Sequence, residues 1–175
     1  KNGFYKKKIN VEEDISENLR IKKLLATASK SGPGVGKPDF IITHDDYDDV
    51  VIVVECKEDI TFHESKDRNK FKNYAVDGSL LYSSYLSKEY DVIVIAFSGK
   101  KNLNRTSIFS QLRKEKIKEF DIQELIECEE FLNKLIYSED RKSREYKNII
   151  NYSGTLNTFL HKNKIQEDKR SLLFS

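Results

Sequence analysis

The chain has 175 residues, enough for one ordinary domain or one domain with an appendage, and its composition of 34% charged and 38% hydrophobic residues excludes a disordered tail. Lys and Arg number 31 against 29 Asp and Glu, so the net charge of +2 supports no polyanion partner by itself; only the arrangement of charge can do so. No apolar run approaches the roughly 20 residues of a membrane-spanning helix and no signal-peptide pattern opens the chain, so no membrane partner and a cytoplasmic location are expected.

Asn10 followed by Glu13, acids in the next turn, and Ile15, Leu19, Ile21, Leu24, Leu25 and Ala28 at helical spacing predict a first helix over 11–29. Gly and Pro in "SKSGPGVGKP" break it, "DFIIT" reads as a short strand, and "HDDYDD" as a turn. Val50 to Val54 are five β-branched apolar residues in a row, too short a run for a buried helix and well suited to a central strand. Phe71, Tyr74, Ala75, Gly78, Leu81, Tyr82, Tyr85 and Leu86 form a stripe that predicts a helix over 64–87. "DVIVIAFSG" follows as a buried strand, "RTSIFSQL" as a fourth strand, and "IQELIECEEFLNKLIY" as an amphipathic helix. After Ser138 the pattern is helical with no strand candidate. The order predicts an α/β layer structure, a mixed sheet flanked by helices, over 1–138, with a helical extension over 139–175.

If "DFIIT" and "VVIVVECK" pair as a hairpin with its turn centred on Tyr47, facing residues have numbers that sum to 94, and Asp39 faces Glu55. Alternation along the strand sends Glu55 and Lys57 to one face and Cys56 to the other. Two acids and a lysine gathered together suit a passive core poorly, because like charges disfavour joint ionisation and buried charge is costly. A divalent cation resolves the conflict. Mg2+ takes one or two carboxylates plus water and substrate phosphate, and it polarises phosphodiesters.

Pro38 and Asp39, a short gap, and then Glu55-Cys56-Lys57 after an apolar strand resemble the active-site signature of the PD-(D/E)XK nuclease superfamily. The acid-x-Lys triplet occurs five times, starting at Glu55, Glu64, Asp140, Glu145 and Glu167, but only the one at Glu55 follows an apolar strand with Pro-Asp upstream at hairpin distance. The resemblance covers about 11–98. It implies a restriction-endonuclease-like core in which Asp39 and Glu55 hold Mg2+, with Mn2+ able to substitute, and Lys57 assists the attacking water. By the same analogy the first helix lends a further acid, Glu17 ahead of Glu13. "NYAVDGSLLYSSYLSKEYDVIVIAFSG", Asn73 to Gly99, is similar to the nuclease modules fused to N6-adenine DNA methyltransferases in type IIG and type I-like restriction-modification enzymes, and "LNTFLHKNKIQEDKRSLLFS" is similar to the connector that precedes the methyltransferase there. The resemblance thus implies a DNA endonuclease module cut from a longer polypeptide, with double-stranded DNA, methyltransferase and target-recognition domains as partners and a transient dimer for double-strand cleavage. The competing reading is a non-catalytic DNA-docking module of the same fold; a third is a repair or recombination nuclease with the same site.

Other features carry less. Asn73, Asp77 and Tyr82 on the second predicted helix read either as support of the metal site or contact with the scissile strand, or as core packing for Tyr82 and a surface acid for Asp77. "SGPGVGKPD" has Ser31 where a phosphate-binding loop needs Gly and Pro38 where it needs Ser or Thr, so it reads as a flexible loop. "DDYDD" lacks the glycine and terminal glutamate of an EF-hand loop. His44, His63 and His161 lack ligand spacing and read as surface residues. Cys56 and Cys128 have no CxxC partner and read as reduced thiols. Lys66, Arg68, Lys70 and Lys72, then Lys100, Lys101 and Arg105, then Arg113, Lys114, Lys116 and Lys118 read together as a phosphate-tracking rim around the site, while any single cluster reads more readily as a solvated charged face.

Overall fold

A computed structural model describes residues 7–120, 122 and 126–163. Its elements in chain order are β1 (Ile9–Glu12), α1 (Leu19–Leu25), β2 (Phe40–His44), β3 (Val50–Lys57), a 3-10 turn (Ile60–Phe62), α2 (Ala75–Leu86), β4 (Asp91–Lys100), β5 (Leu103–Gln111), β6 (Lys118–Glu119), α3 (Cys128–Ile136) and α4 (Glu139–Lys162). The strands form one six-stranded mixed sheet in the order β1-β2-β3-β4-β5-β6, in which β3 and β4 are parallel and every other pair is antiparallel. The parallel pair needs a crossover, and α2 supplies it. This is the α/β architecture, a mixed sheet flanked by helices, expected from the sequence. The chain divides into two compact units between Leu135 and Ile136; α4 belongs to the second, a helix capped by the Ser138 hydroxyl. Among the described residues no helix is long and apolar enough to cross a membrane.

The hairpin forms in the expected register, Phe40 opposite Val54, Ile41 opposite Val53 and Ile42 opposite Ile52. Its turn is closed by the Tyr47 N–H on the His44 carbonyl and the Val50 N–H on the Tyr47 carbonyl, both 3.1 Å. Alternation then divides the sheet between two faces. Ile41, Val51, Val53, Val92, Val94, Ala96 and Phe109 lie on one face, in a single buried cluster with Ile21 and Leu25 of α1 and Ala75, Val76, Tyr82 and Leu86 of α2. Ile42, Ile52, Ile93, Ile95 and Ile108 are buried on the other, and α3 buries a stripe of Cys128, Phe131, Leu132 and Leu135.

Two predicted helices are shorter than the periodicity suggests. Residues 9–12 are an edge strand on β2, not helix, and Asp14 adopts a left-handed φ of 57° that ends it. Helix α1 starts only at Leu19, capped by Asn18 and not Asn10, whose side-chain oxygen accepts from the Arg20 and Ile21 N–H groups. Ile15 and Leu19, counted as core, are 42% and 80% exposed. Likewise 64–74 is loop, with Arg68 at φ 50°, and only 75–86 is helix. The buried Asp77 carboxylate satisfies this loop: it accepts from the Ser65 N–H at 3.1 Å, the Lys70 N–H at 2.8 Å and the Ser65 hydroxyl. Of the amphipathic helix expected over 122–137, Cys128–Ile136 is helical, while 121 and 123–125 lie outside the described residues, as does 164–175 of the helical extension.

Candidate active site

Strand β3 runs through the Glu55-Cys56-Lys57 triplet, so its alternation carries past the apolar run and puts Glu55 and Lys57 on the α2 face. Extended one step, the hairpin register sets Asp39 across from Glu55. Asp39 stands just before β2, and its Oδ2 accepts the Cys56 backbone N–H at 2.5 Å, which satisfies a donor the ladder has left behind. The three residues that the sequence groups together are therefore neighbours at the C-terminal end of β3.

Glu55 is fully buried. Room for it against α2 exists because residue 78 is glycine: a Cβ there would stand 3.3 Å from both Cγ and Cδ of Glu55. Its Oε1 accepts the Lys57 ammonium at 2.7 Å and a second ammonium, that of Lys30, at 2.5 Å. Its Oε2 is buried and has no hydrogen-bond partner among the described residues. Burial pushes the Glu55 carboxyl above its ordinary range, the Lys30 and Lys57 ammoniums pull it back, and the charge of Asp39 adds to the upward push. Cys56, half-buried on the opposite face, has its thiol pushed up to about 11 by burial first and by Asp39 next.

An unpaired carboxylate oxygen in a buried site is costly unless something else binds it. Two adjacent carboxylates with a free oxygen fit a hard divalent cation, and among the described residues no group of three or more His, Cys, Asp and Glu side chains forms a fuller cage. A donor set of that size suits Mg2+, which keeps waters and takes substrate oxygens, better than a metal that needs an all-protein shell.

The surrounding residues fix this geometry. Tyr82, fully buried on α2, donates its hydroxyl to the Lys37 carbonyl at 2.8 Å and accepts the Lys37 N–H at 3.2 Å, clamping the segment that leads into Pro38 and Asp39. Burial, then the charge of Glu55, pushes this phenol well above its ordinary value. Asp77 is buried and holds the 65–70 loop, so the surface-acid alternative for it is wrong. The chain just beyond that loop reaches the site, since the Phe71 carbonyl and Glu55 both abut Gly78. Asn73 is exposed in the turn before α2, where no helical pairing with Asp77 exists.

Glu17 precedes α1 and lines a hollow with Asn10, Val11, Glu12, Glu13 and Ile15, and its backbone N–H donates to the Glu12 carboxylate at 2.7 Å. On the same segment, the Asp14 N–H donates to the Pro38 carbonyl at 3.2 Å, and its charge is felt at the Tyr82 hydroxyl. Neither Asp14 nor Lys30 was foreseen. Lys30 lies in the glycine-rich loop, and its position ahead of Pro-Asp was the one signal available.

Two histidines expected at the surface are buried. His44 accepts the Asp46 N–H at Nδ1, and His63 is wedged between the Ser98 and Ser107 hydroxyls, 2.8 Å from each, with its pKa lowered by burial. His161 is exposed. Of the basic clusters, Lys66 to Lys72 is exposed on the loop beside the site. Arg113 is instead at the far end of the sheet, where its N–H donates to Asp91, the first residue of β4. Its cluster therefore does not border Glu55.

A type II restriction enzyme and methyltransferase of Heyndrickxia coagulans, RM.BcgI, is 32% identical to this chain over 105 residues, which cover 52% of the chain and 16% of that protein. The chain is thus related to part of a restriction-modification polypeptide and spans about a sixth of its length. No protein-family model matches the chain. No solved structure matches it either.

Proposed function

We propose that this chain is the cleavage module of a restriction-modification enzyme, a Mg2+-dependent DNA endonuclease of the PD-(D/E)XK type, with DNA recognition and methylation carried by other domains of its parent polypeptide. The observation that carries the reading is Glu55, a buried carboxylate with one oxygen unpartnered, beside Asp39 and Lys57 at one strand end. The relationship to a restriction enzyme and methyltransferase supports the substrate class.

Asp39 and Glu55 are the residues that would hold the cation. When bound, Mg2+ polarises a phosphodiester oxygen and offsets the negative charge that grows on the phosphorus oxygens. Lys57 is anchored by Glu55 at 2.7 Å and 21% exposed at its side chain, so its ammonium is held at the edge of the pocket, where it orients the attacking water. In the hydrolysis, a water oxygen bonds to phosphorus, the bond to the 3′ oxygen breaks, and that oxygen takes a proton, leaving 5′-phosphate and 3′-hydroxyl ends. Tyr82, through Lys37, and Asp77, through the 65–70 loop, act as positioning residues.

The test is metal-dependent nicking of supercoiled plasmid at high protein concentration, with Asp39→Ala, Glu55→Ala and Lys57→Ala as comparisons. The expected result is cleavage in Mg2+ or Mn2+ that drops at least about a hundredfold in each variant. Cleavage that survives all three changes removes the assignment, and salt-sensitive DNA binding without cleavage assigns a docking module instead.

A further inference from the structure

Lys30 is a charged side chain for which the reaction just described has no use, yet it makes the shortest ion pair in the site. Its ammonium lies 2.5 Å from Glu55 Oε1 and 5.5 Å from the centre of the Tyr82 ring. We propose that Lys30 is a displaceable counter-ion of Glu55, one that holds the buried carboxylate in place while no metal is bound and leaves it when a divalent cation arrives. The inference rests on the metal-dependent reading above and concerns a residue that reading does not employ.

Three observations support it. First, Lys30 and Lys57 converge on the same oxygen while Oε2 has no partner, so one carboxylate is shared between two ammoniums and neither is optimally placed for both oxygens. Second, Asp39 and Glu55 carry two negative charges and Lys30 and Lys57 two positive ones, which makes the assembly neutral without a metal. A divalent cation added to all four leaves an excess of two positive charges in a site sheltered from water, where such an excess is costly. Withdrawal of Lys30 leaves one, which a single phosphodiester cancels. The four-residue arrangement is thus balanced without metal, and the three-residue arrangement is balanced with metal and substrate.

Third, the backbone allows Lys30 to leave and holds Lys57 back. Lys57 is on β3, opposite Ser98 of β4 in the sheet. Lys30 is at the head of a small loop closed by the Ser29 N–H on the Gly34 carbonyl, with Gly32 and Gly34 at φ of 111° and 145°. A Cβ on Gly32 would meet nothing within 4 Å, so the loop tip is unpacked. Its far end is pinned by the Gly36 N–H on the Leu25 carbonyl and by Tyr82 on Lys37. The tip is therefore free to swing without dragging Pro38 and Asp39 along. Lys30 also reaches solvent while the carboxylate it pairs with does not, its side chain 17% exposed where that of Glu55 is 0%. Its departure opens the way in for the ion.

The decisive measurement uses the unmodified 175-residue chain: brief acetylation of lysines, read residue by residue by mass spectrometry, in EDTA and in saturating Mn2+. The expected result is a several-fold rise in Lys30 labelling on Mn2+ addition with no such rise at Lys57. Calorimetry adds a second readout, with Lys30→Gln and Lys30→Ala expected to bind Mn2+ roughly tenfold more tightly, the factor for one competing ammonium contact. Their thermal midpoints should fall below the parent's in EDTA and meet it in saturating Mn2+, which a merely structural lysine would not produce. Lys30 labelling indifferent to Mn2+, with Mn2+ uptake that still requires Glu55, overturns this inference and leaves the metal site standing. Absence of Glu55-dependent Mn2+ uptake in the parent chain overturns the metal reading and the inference with it.

Discussion

Replacing Gly78 by alanine tests whether α2, the 65–73 loop and Glu55 are packed as described. Gly78 lies inside α2, where alanine by intrinsic propensity alone would stabilise the helix by about 0.5–1 kcal/mol. The new methyl, however, would stand 2.8 Å from the Phe71 carbonyl oxygen and 3.3 Å from Glu55 Cγ and Cδ. The first contact is with backbone, in a loop tied to α2 by the Asp77 carboxylate, so it does not yield as a flexible side-chain end would. Overpacking of this kind costs about 1–3 kcal/mol, and the net expectation is a loss of about 1–2 kcal/mol. For a chain of this length that lowers the thermal midpoint by about 2–4 °C per kcal/mol. Gly154 is the control: it too lies within a helix, α4, but its methyl would meet nothing within 4 Å, so Gly154→Ala should stabilise that helix by about 0.5–1 kcal/mol. Thermal and urea unfolding followed by far-ultraviolet circular dichroism distinguishes the two. A Gly78→Ala protein as stable as its parent, or more so, refutes the packing described around Glu55.

Other perturbations have equally definite outcomes. Tyr82→Phe leaves the Lys37 N–H and carbonyl without their partner, and urea denaturation should register a loss of about 1–3 kcal/mol, with slower plasmid nicking because Asp39 is less firmly held. His63 is buried with a depressed pKa, so the unfolded chain takes up a proton that the folded chain refuses. Its contribution is full above the ordinary value of 6.5 and falls as the pH drops from there towards the folded value. The stability gap between the parent and His63→Gln should therefore narrow on acidification below pH 6.5; a gap that holds constant between pH 7.5 and 5 argues against a neutral, buried imidazole. With its thiol pushed up to about 11 from 9.0, Cys56 should react with iodoacetamide at pH 8 about a hundredfold more slowly than in urea, since only the thiolate is nucleophilic.

The hairpin was legible because all of its information is local. Val50 to Val54 declare a buried strand, the five-residue turn is next to it, and one register follows, in which Phe40 does face Val54. From that register the neighbourhood of Asp39, Glu55 and Lys57 follows with little further input. The first helix misled for the opposite reason. Ile9 and Val11 alternate as a strand does, but that pattern decides the outcome only once β2 is there to pair with, and the apolar spacing beyond it counted Ile15 and Leu19 as core although both are exposed. The start of α2 misled likewise, because the loop before it is held by a carboxylate, Asp77, further along the chain.

The sequence by itself determined the strand pair, the acid-and-lysine triplet at its end and the alternation that puts them on one face, since these depend on chain direction and a period of two. Only the tertiary structure decided that Glu55 is sealed from solvent, that Gly78 makes room for it and that Lys30 reaches it from 25 residues away. It likewise decided that His63 is locked between hydroxyls 35 and 44 residues further on. Contacts across such separations are set by how layers pack, and no local periodicity encodes which side chain a distant loop brings to a buried charge.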